Sequence, residues 1–396
     1  MFETLEKAPP DAIFGLKEAY KKDSNPNKVN LTIGVYQDDT GTTPIFRTVK
    51  LAEARLLEDE TDKSYLSIDG SPEYAAVVQE LVFGAGHEVI VSKRAATAQT
   101  PGGTAALRVG AEFIKRIRPD ARIWLSDPTW PNHPQVFGAA GLAIETYPYF
   151  DSAINGIAFD EMVAALKEIP AGDIVLLHGS CHNPTGADPT PEQWTQIGDI
   201  VAERDLIPFI DFAYQGLGDG LHKDASGILT LCRPDSEMLV ASSFSKNFGL
   251  YSERVGALTV VTPSAEAAQS ALSHVKKCIR ANYSNPPSHG ASIVIAVLSD
   301  PDLRAQWENE VQGMCNRIHR TRRLFVETLT TKGVTRDFSF IEQQRGIFSY
   351  TGLTKEQAQE LREKHSIYIR DSGRMNVAGM NEDNIDAICQ AIATVL

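Results

Sequence analysis

Lys246 is the residue on which a chemical reading of this sequence turns. It stands in Ser243-Phe244-Ser245-Lys246-Asn247-Phe248-Gly249-Leu250, where small and aromatic side chains follow an apolar run. Most lysines are solvated at the surface, but burial here would disfavour the ammonium and leave a free amine to attack a carbonyl. Ser243 and Ser245 flank it, and Arg254 follows with a planar guanidinium fork, so the three suit a phosphate. Thr100-Pro-Gly-Gly-Thr104 opens a predicted helix. The amides around Gly103 and Thr104 therefore make a second anion-binding feature. Asp211 ends another apolar run, with Tyr214 close behind. A carboxylate buried there needs a cation, and a pyridinium nitrogen is one that would justify it.

Further polar groups follow other apolar runs. Asn183 lies in Gly-Ser-Cys-His-Asn-Pro-Thr-Gly (179–186), and Trp130 in Ser-Asp-Pro-Thr-Trp-Pro-Asn-His (126–133) offers a flat aromatic face. Arg280 and Arg374 sit in Ile-Arg-Ala-Asn-Tyr-Ser-Asn-Pro-Pro and Asp-Ser-Gly-Arg-Met-Asn. Taken singly, Asn-Pro-Thr-Gly also reads as a turn, Asp211 as a helix cap, Trp130 as core packing and either arginine as surface. Cys181 beside His182 is not a nucleophilic dyad, because adjacent residues seldom face each other and no third group orients them.

The elements that must position these residues come as short apolar runs alternating with helical segments between residues 100 and 262. Strands are predicted at Arg122–Ser126, Ala143–Tyr147, Ile174–His178, Ile207–Asp211, Leu239–Ser243 and Gly256–Val261, buried on both faces. Helices are predicted at Thr104–Ile117 and Pro191–Arg204, the second capped by Thr190. This is the text of a doubly wound α/β domain, whose ligands bind at the carboxyl ends of the strands. Beyond Asp300 come a long helix, a strand at Ile347–Gly352, a helix at Thr354–Lys364, another strand and a closing helix from Asn381, the texture of a smaller α+β domain. The expected division is 1–43 with 311–396 for the small domain and 44–310 for the large one.

A chain of 396 residues is long for one hydrophobic core, and its hydrophobic share of 42% is that of a globular protein. Its net charge of -13 opposes nucleic acid and anionic lipid as partners. The same field repels anionic substrates, so local arginines must overcome it inside a cleft. Five scattered cysteines without a CxxC pair suit a reducing compartment, and no metal is expected. The N-terminal Met-Phe-Glu-Thr-Leu-Glu-Lys is unlike a signal peptide, and no run approaches a membrane span, so a cytoplasmic location is expected.

In combination and in this order, Cys-His-Asn-Pro-Thr-Gly, Asp-Phe-Ala-Tyr-Gln-Gly, Ser-Phe-Ser-Lys-Asn-Phe-Gly-Leu-Tyr and Ser-Gly-Arg are highly specific. The chain resembles the class I, fold-type I pyridoxal-phosphate aminotransferases, and within them the bacterial aspartate branch, from Asn30–Tyr36 through Tyr65–Gly70 to the last helix. The resemblance implies that Lys246 carries the cofactor covalently, Asp211 pairs with its ring nitrogen, and Asn183 and Tyr214 bond its phenolic oxygen. Trp130 would stack on the ring, and Gly103, Thr104, Ser243, Ser245 and Arg254 would hold the phosphate, joined by Tyr65 from a neighbouring subunit. It further implies that Arg374, with Asn183, Trp130 and the Gly34 backbone, grips the α-carboxylate, while the neighbour's copy of Arg280 takes a distal carboxylate. A homodimer with shared sites follows. The implied activity is reversible amino transfer between L-aspartate and 2-oxoglutarate by a ping-pong mechanism, with tyrosine or phenylalanine as alternative donors. Phe244, where a tyrosine is frequent, and Ser180, where a cysteine is common, depart from the family pattern without touching a named role. A lyase on the same fold would need no 2-oxo acid acceptor, and a regulator would need a DNA-binding extension.

Overall fold

The computed structural model describes residues 2–6 and 12–396; residues 1 and 7–11, in the segment expected to join the small domain, lie outside the described residues. At the centre is a seven-stranded sheet of β1 (Ala95–Thr100), β2 (Arg122–Asp127), β3 (Ala143–Pro148), β4 (Ile174–His178), β5 (Ile207–Phe212), β6 (Met238–Ser243) and β7 (Gly256–Val261). Their order is β1-β7-β6-β5-β4-β2-β3, and neighbours run parallel except that β7 is antiparallel to both β1 and β6. Successive side chains of a strand point to opposite faces. In β4, Ile174 and Leu176 accordingly join one hydrophobic cluster, and Val175 and Leu177 join another. Both faces are covered, as a doubly wound sheet requires.

Helix α1 (Gly103–Ile117) packs Leu107, Phe113 and Ile114 into one of these clusters. Helix α2 (Pro191–Glu203) brings Trp194, Ile197 and Ile200 to the other. A capping box holds the start of α2: Thr190 Oγ1 accepts from Gln193 N at 3.2 Å, and Thr190 N donates to Gln193 Oε1 at 2.9 Å.

A third cluster gathers Leu31 with Phe325, Ile341, Ile367, Met375, Ile388 and Ile392. Here Val29–Asn30 pairs in parallel with Ile367–Tyr368, and Phe348–Tyr350 pairs antiparallel with Arg374–Asn376. Arg322, on the long helix α3 (Pro301–Thr331), is buried under these strands. Its guanidinium donates to Ile341 O, Gly346 O and Phe348 O at 2.8, 2.7 and 2.9 Å, and to Ser349 Oγ at 2.5 Å.

Three expectations need correction. Strand β3 is not buried on both faces: it is the sheet edge, and only Tyr147 within it is buried. Strand β1 was not anticipated, because Ala-Ala-Thr-Ala-Gln-Thr lacks the bulky β-branched run that marks its neighbours. The closing helix begins at Ile385, not Asn381, since Asn381 and Asn384 exchange backbone-to-side-chain bonds of 2.9 and 3.0 Å that hold a turn before it. Among the described residues no helix is long and apolar enough to cross a membrane.

Candidate active site

The carboxyl ends of β4, β5 and β6 meet the start of α1 around a cleft of about 300 Å³. Its walls include Lys246, Asp211, Tyr214, Asn183, Trp130, Gly103, Thr104, Ser243, Ser245, Arg254, Gly34 and Arg374. Tyr65 and Arg280 are not among the lining residues; both are exposed, Tyr65 at 93%.

Lys246 points its Nζ over the Tyr214 ring, 4.7 Å from the centroid. Burial pulls its ammonium down from the ordinary 10.5 to about 8, with Asp211 opposing and Arg254 assisting. Asp211 shows the opposite balance. Burial pushes its carboxyl up, but the His133 hydrogen bond, the neighbouring imidazoles and Lys246 bring it below the ordinary value. The ionised carboxylate accepts only, so the 2.9 Å contact assigns the proton to His133 Nε2. His133 Nδ1 meets Thr129 Oγ1 at 2.7 Å. Burial also lowers His178 to about 3, which keeps that ring neutral beside the pair. The donor atoms of His133, His178 and Asp211 lie within 4.8 Å of one another, and His133 Nε2 is committed to Asp211.

On one side of Lys246 lies a cradle for an anion. The first amides of α1 have no partner within the helix. Gly102, at φ +87°, leads into it, and a Cβ there would meet Arg254 Nη2 at 2.4 Å. Only glycine lets that guanidinium approach the helix terminus. Ser243 Oγ lies 3.1 Å from Ser245 Oγ, and Arg254 Nη1 is 3.5 Å from the latter. Gly256 on β7 keeps the backbones close, for a Cβ there would stand 2.5 Å from Gly102 C.

On the other side Arg374 is buried, its guanidinium 4.0 Å over the Phe348 ring. It donates to Asn183 Oδ1 at 3.2 Å and to Thr32 O at 2.9 Å, while its Nε is buried without an acceptor. Burial and the nearby Arg370 lower it to about 10, still charged at neutral pH. Such a group suits a carboxylate. Cys181 and His182 are engaged separately: burial raises the thiol well above its ordinary value, and His182 is held by Ser126 Oγ at 3.0 Å and Thr185 Oγ1 at 2.9 Å.

His133 is the functional side chain that the sequence reading passed over. Its partner Asp211 is 78 positions away, and the one local signal is its place three residues after Trp130.

An amine kept reactive by burial, between an anion cradle and a carboxylate clamp, is the equipment of enzymes that handle amino acids through a carbonyl group. That is the class which fold and cleft define together. The chain belongs to the aminotransferase class I and II family, whose sequence model matches residues 26–392. It is 53% identical over 396 residues to an aspartate aminotransferase of Salmonella typhi, covering 100% of both chains. It is 47% identical over 394 residues to an aromatic-amino-acid aminotransferase of Pseudomonas aeruginosa, covering 100% of this chain and 98% of that one. The fold matches the crystal structure of an aromatic-amino-acid aminotransferase from Burkholderia pseudomallei covalently bound to pyridoxal phosphate. There the TM-score is 0.98 at 46% identity, over 100% of this chain and 99% of that one.

Proposed function

We propose that this aminotransferase moves the amino group between L-aspartate and 2-oxoglutarate, giving oxaloacetate and L-glutamate, and that it does so with pyridoxal phosphate carried on Lys246. The observation that carries this reading is the lysine amine, lowered to about 8 within the same cleft as the buried Asp211, the Ser243–Ser245–Arg254 cradle and Arg374. Tyrosine and phenylalanine are a second donor class, supported by likeness to aromatic-amino-acid enzymes at 47% and 46% identity.

The cleft fits the cofactor by the chemistry of its donors. The α1 amides at Gly103 and Thr104, Ser243, Ser245 and Arg254 would take the phosphate, Asp211 the ring nitrogen, Asn183 and Tyr214 the phenolic oxygen, and Trp130 the ring face. When bound, pyridoxal phosphate supplies a carbonyl for the amine and an electron sink for the substrate's α-carbon.

The chain's own residues do the rest. Lys246 Nζ would hold the cofactor and, once the substrate amine has taken its place, would take and return the α-proton as general base and acid. Asp211, held by His133, would keep a proton on the cofactor's ring nitrogen. Arg374, with Asn183, Trp130 and the Gly34 backbone, orients the α-carboxylate. Amine donation by one substrate and uptake by a second 2-oxo acid make the kinetics ping-pong.

Tyr65 and Arg280, exposed on the single chain, act in the cleft of a second copy in this reading, Tyr65 on the phosphate and Arg280 on the distal carboxylate. The chain then works as a homodimer. We also take 1–43 with 311–396 as the small domain and 44–310 as the large one, supported by the cluster joining Leu31 to the C-terminal strands. The cytoplasm is the proposed compartment, supported by five free cysteines.

Turnover of aspartate and of phenylalanine, each with 2-oxoglutarate as acceptor, tests the substrate assignment: aspartate should be the faster donor. Amino-acid breakdown without any 2-oxo acid would instead indicate a lyase. A second expectation concerns cofactor uptake. The neutral amine is the nucleophile, so stripped protein should gain visible absorbance faster as pH rises through about 8 and level off above it. A midpoint near the ordinary lysine value would count against the assigned environment.

A further inference from the structure

The loop that leaves β4 delivers Asn183 to the cleft, and its shape is set from behind by Asp188. The amide of Cys181, which adopts a left-handed φ of +55°, donates to Asp188 Oδ2 at 2.6 Å. The amide of His182 donates to Asp188 Oδ1 at 2.8 Å. One carboxylate thus spans the two peptides immediately before Asn183, whose Oδ1 accepts from Arg374. Asp188 is absent from the catalytic cleft's walls and lines a separate cavity of about 830 Å³ on the other side of its loop.

Burying this charge has a cost. Burial raises the carboxyl to about 6, against the two amide hydrogen bonds and Arg345, with Asp219 adding to the rise. The folded value lies above the ordinary 3.8, so the ionised form weakens folding above about pH 6 and a proton strengthens it below. A neutral side chain would avoid that cost but would not offer acceptors to both amides.

We propose that Asp188 is a positioning residue for amino transfer: its carboxylate fixes the Cys181 and His182 peptides and through them sets Asn183 against Arg374, where the substrate carboxylate binds. This rests on the functional reading above. The mechanism has no other use for a buried acid at this place. The loop's remaining ties are consistent with a rigid mount. Gly186 N donates to His182 O at 2.7 Å, Arg345 N donates to Gly186 O at 2.6 Å, and the His182 ring stacks on Tyr149 at 4.0 Å. The titratable and charged groups around Asp188 are Asp219, Asp224, Arg345, Arg322, Tyr149, Cys181 and His182. Of these Asp224 also lies at about 6, raised by burial.

The test compares wild type, Asp188→Asn and Asp224→Asn, each loaded with cofactor. In Asp188→Asn one amide loses its acceptor. KM for aspartate and 2-oxoglutarate should rise about tenfold or more with a smaller fall in kcat, and cofactor absorbance should be retained. Backbone hydrogen exchange in 179–186 should speed up relative to the central sheet. In wild type and Asp224→Asn the KM should climb as pH falls through about 6, whereas in Asp188→Asn that limb should vanish. An unchanged KM with unchanged exchange, or a limb that persists in Asp188→Asn and disappears in Asp224→Asn, overturns the proposal. If Asp188→Asn does not fold, the KM profiles of wild type and Asp224→Asn decide: both must rise as pH falls through about 6, and a flat profile in either overturns the idea. Failure of wild type to transfer an amino group at all would sink the functional reading instead.

Discussion

Lys246→Ala should reduce turnover by on the order of 10⁴-fold or more, the upper end of what a positioned proton-transfer group contributes, with the covalent step lost as well. The amine is partly buried over Tyr214, and Asp211 and Arg254 set its proton affinity between them. The phosphate cradle does not depend on it, so the variant should still take up cofactor, but reversibly. Two measurements check this. Visible absorbance of the dialysed variant should disappear, and borohydride reduction followed by mass analysis should leave no adduct at position 246. Turnover within a hundredfold of wild type would remove Lys246 from the mechanism.

Arg280→Asp should separate the two donor classes. Arg280 is exposed on the single chain, where it donates to Ser284 Oγ, and it is proposed to meet the distal carboxylate in a partner's cleft. Replacing a cation by an anion there both removes a charge-assisted bond and repels the substrate. We expect kcat/KM on aspartate to fall by about 10²–10³, equivalent to roughly 3–4 kcal/mol, against less than about tenfold on phenylalanine. Steady-state kinetics on both donors decides the matter. Equal losses would mean that Arg280 does not read the distal group.

How much of this was legible in the sequence follows from where each residue's meaning resides. Strands β4 to β6 announce themselves because each is an apolar run closed by turn residues, and burial from both sides leaves no polar residue to interrupt the pattern until the ligand end. Lys246, Asp211 and Asn183 stand at those ends, so their positions could be argued from order along the chain. Strand β1 carries only small and polar residues, so no apolar run sets it apart from a loop. His133 and Asp188 were silent for another reason. Each acts on a partner brought near by folding or by a loop's return, Asp211 for the one and two backbone amides for the other, and neither pairing leaves a local pattern. Tyr65 is named, and Arg280 given its role, only through family resemblance, and the single chain leaves both outside the cleft.

The four bonds that Arg322 gives to residues 341–349 have a mechanical consequence. They weld the Phe348 strand to a long helix, and Arg374 lies in the strand paired with it, its guanidinium flat on the Phe348 ring. The carboxylate clamp is therefore one stiff plate instead of a swinging arm. Arg374 and the ring it rests on are thereby tied to one long helix, so a displacement of that helix would carry the grip on a substrate with it.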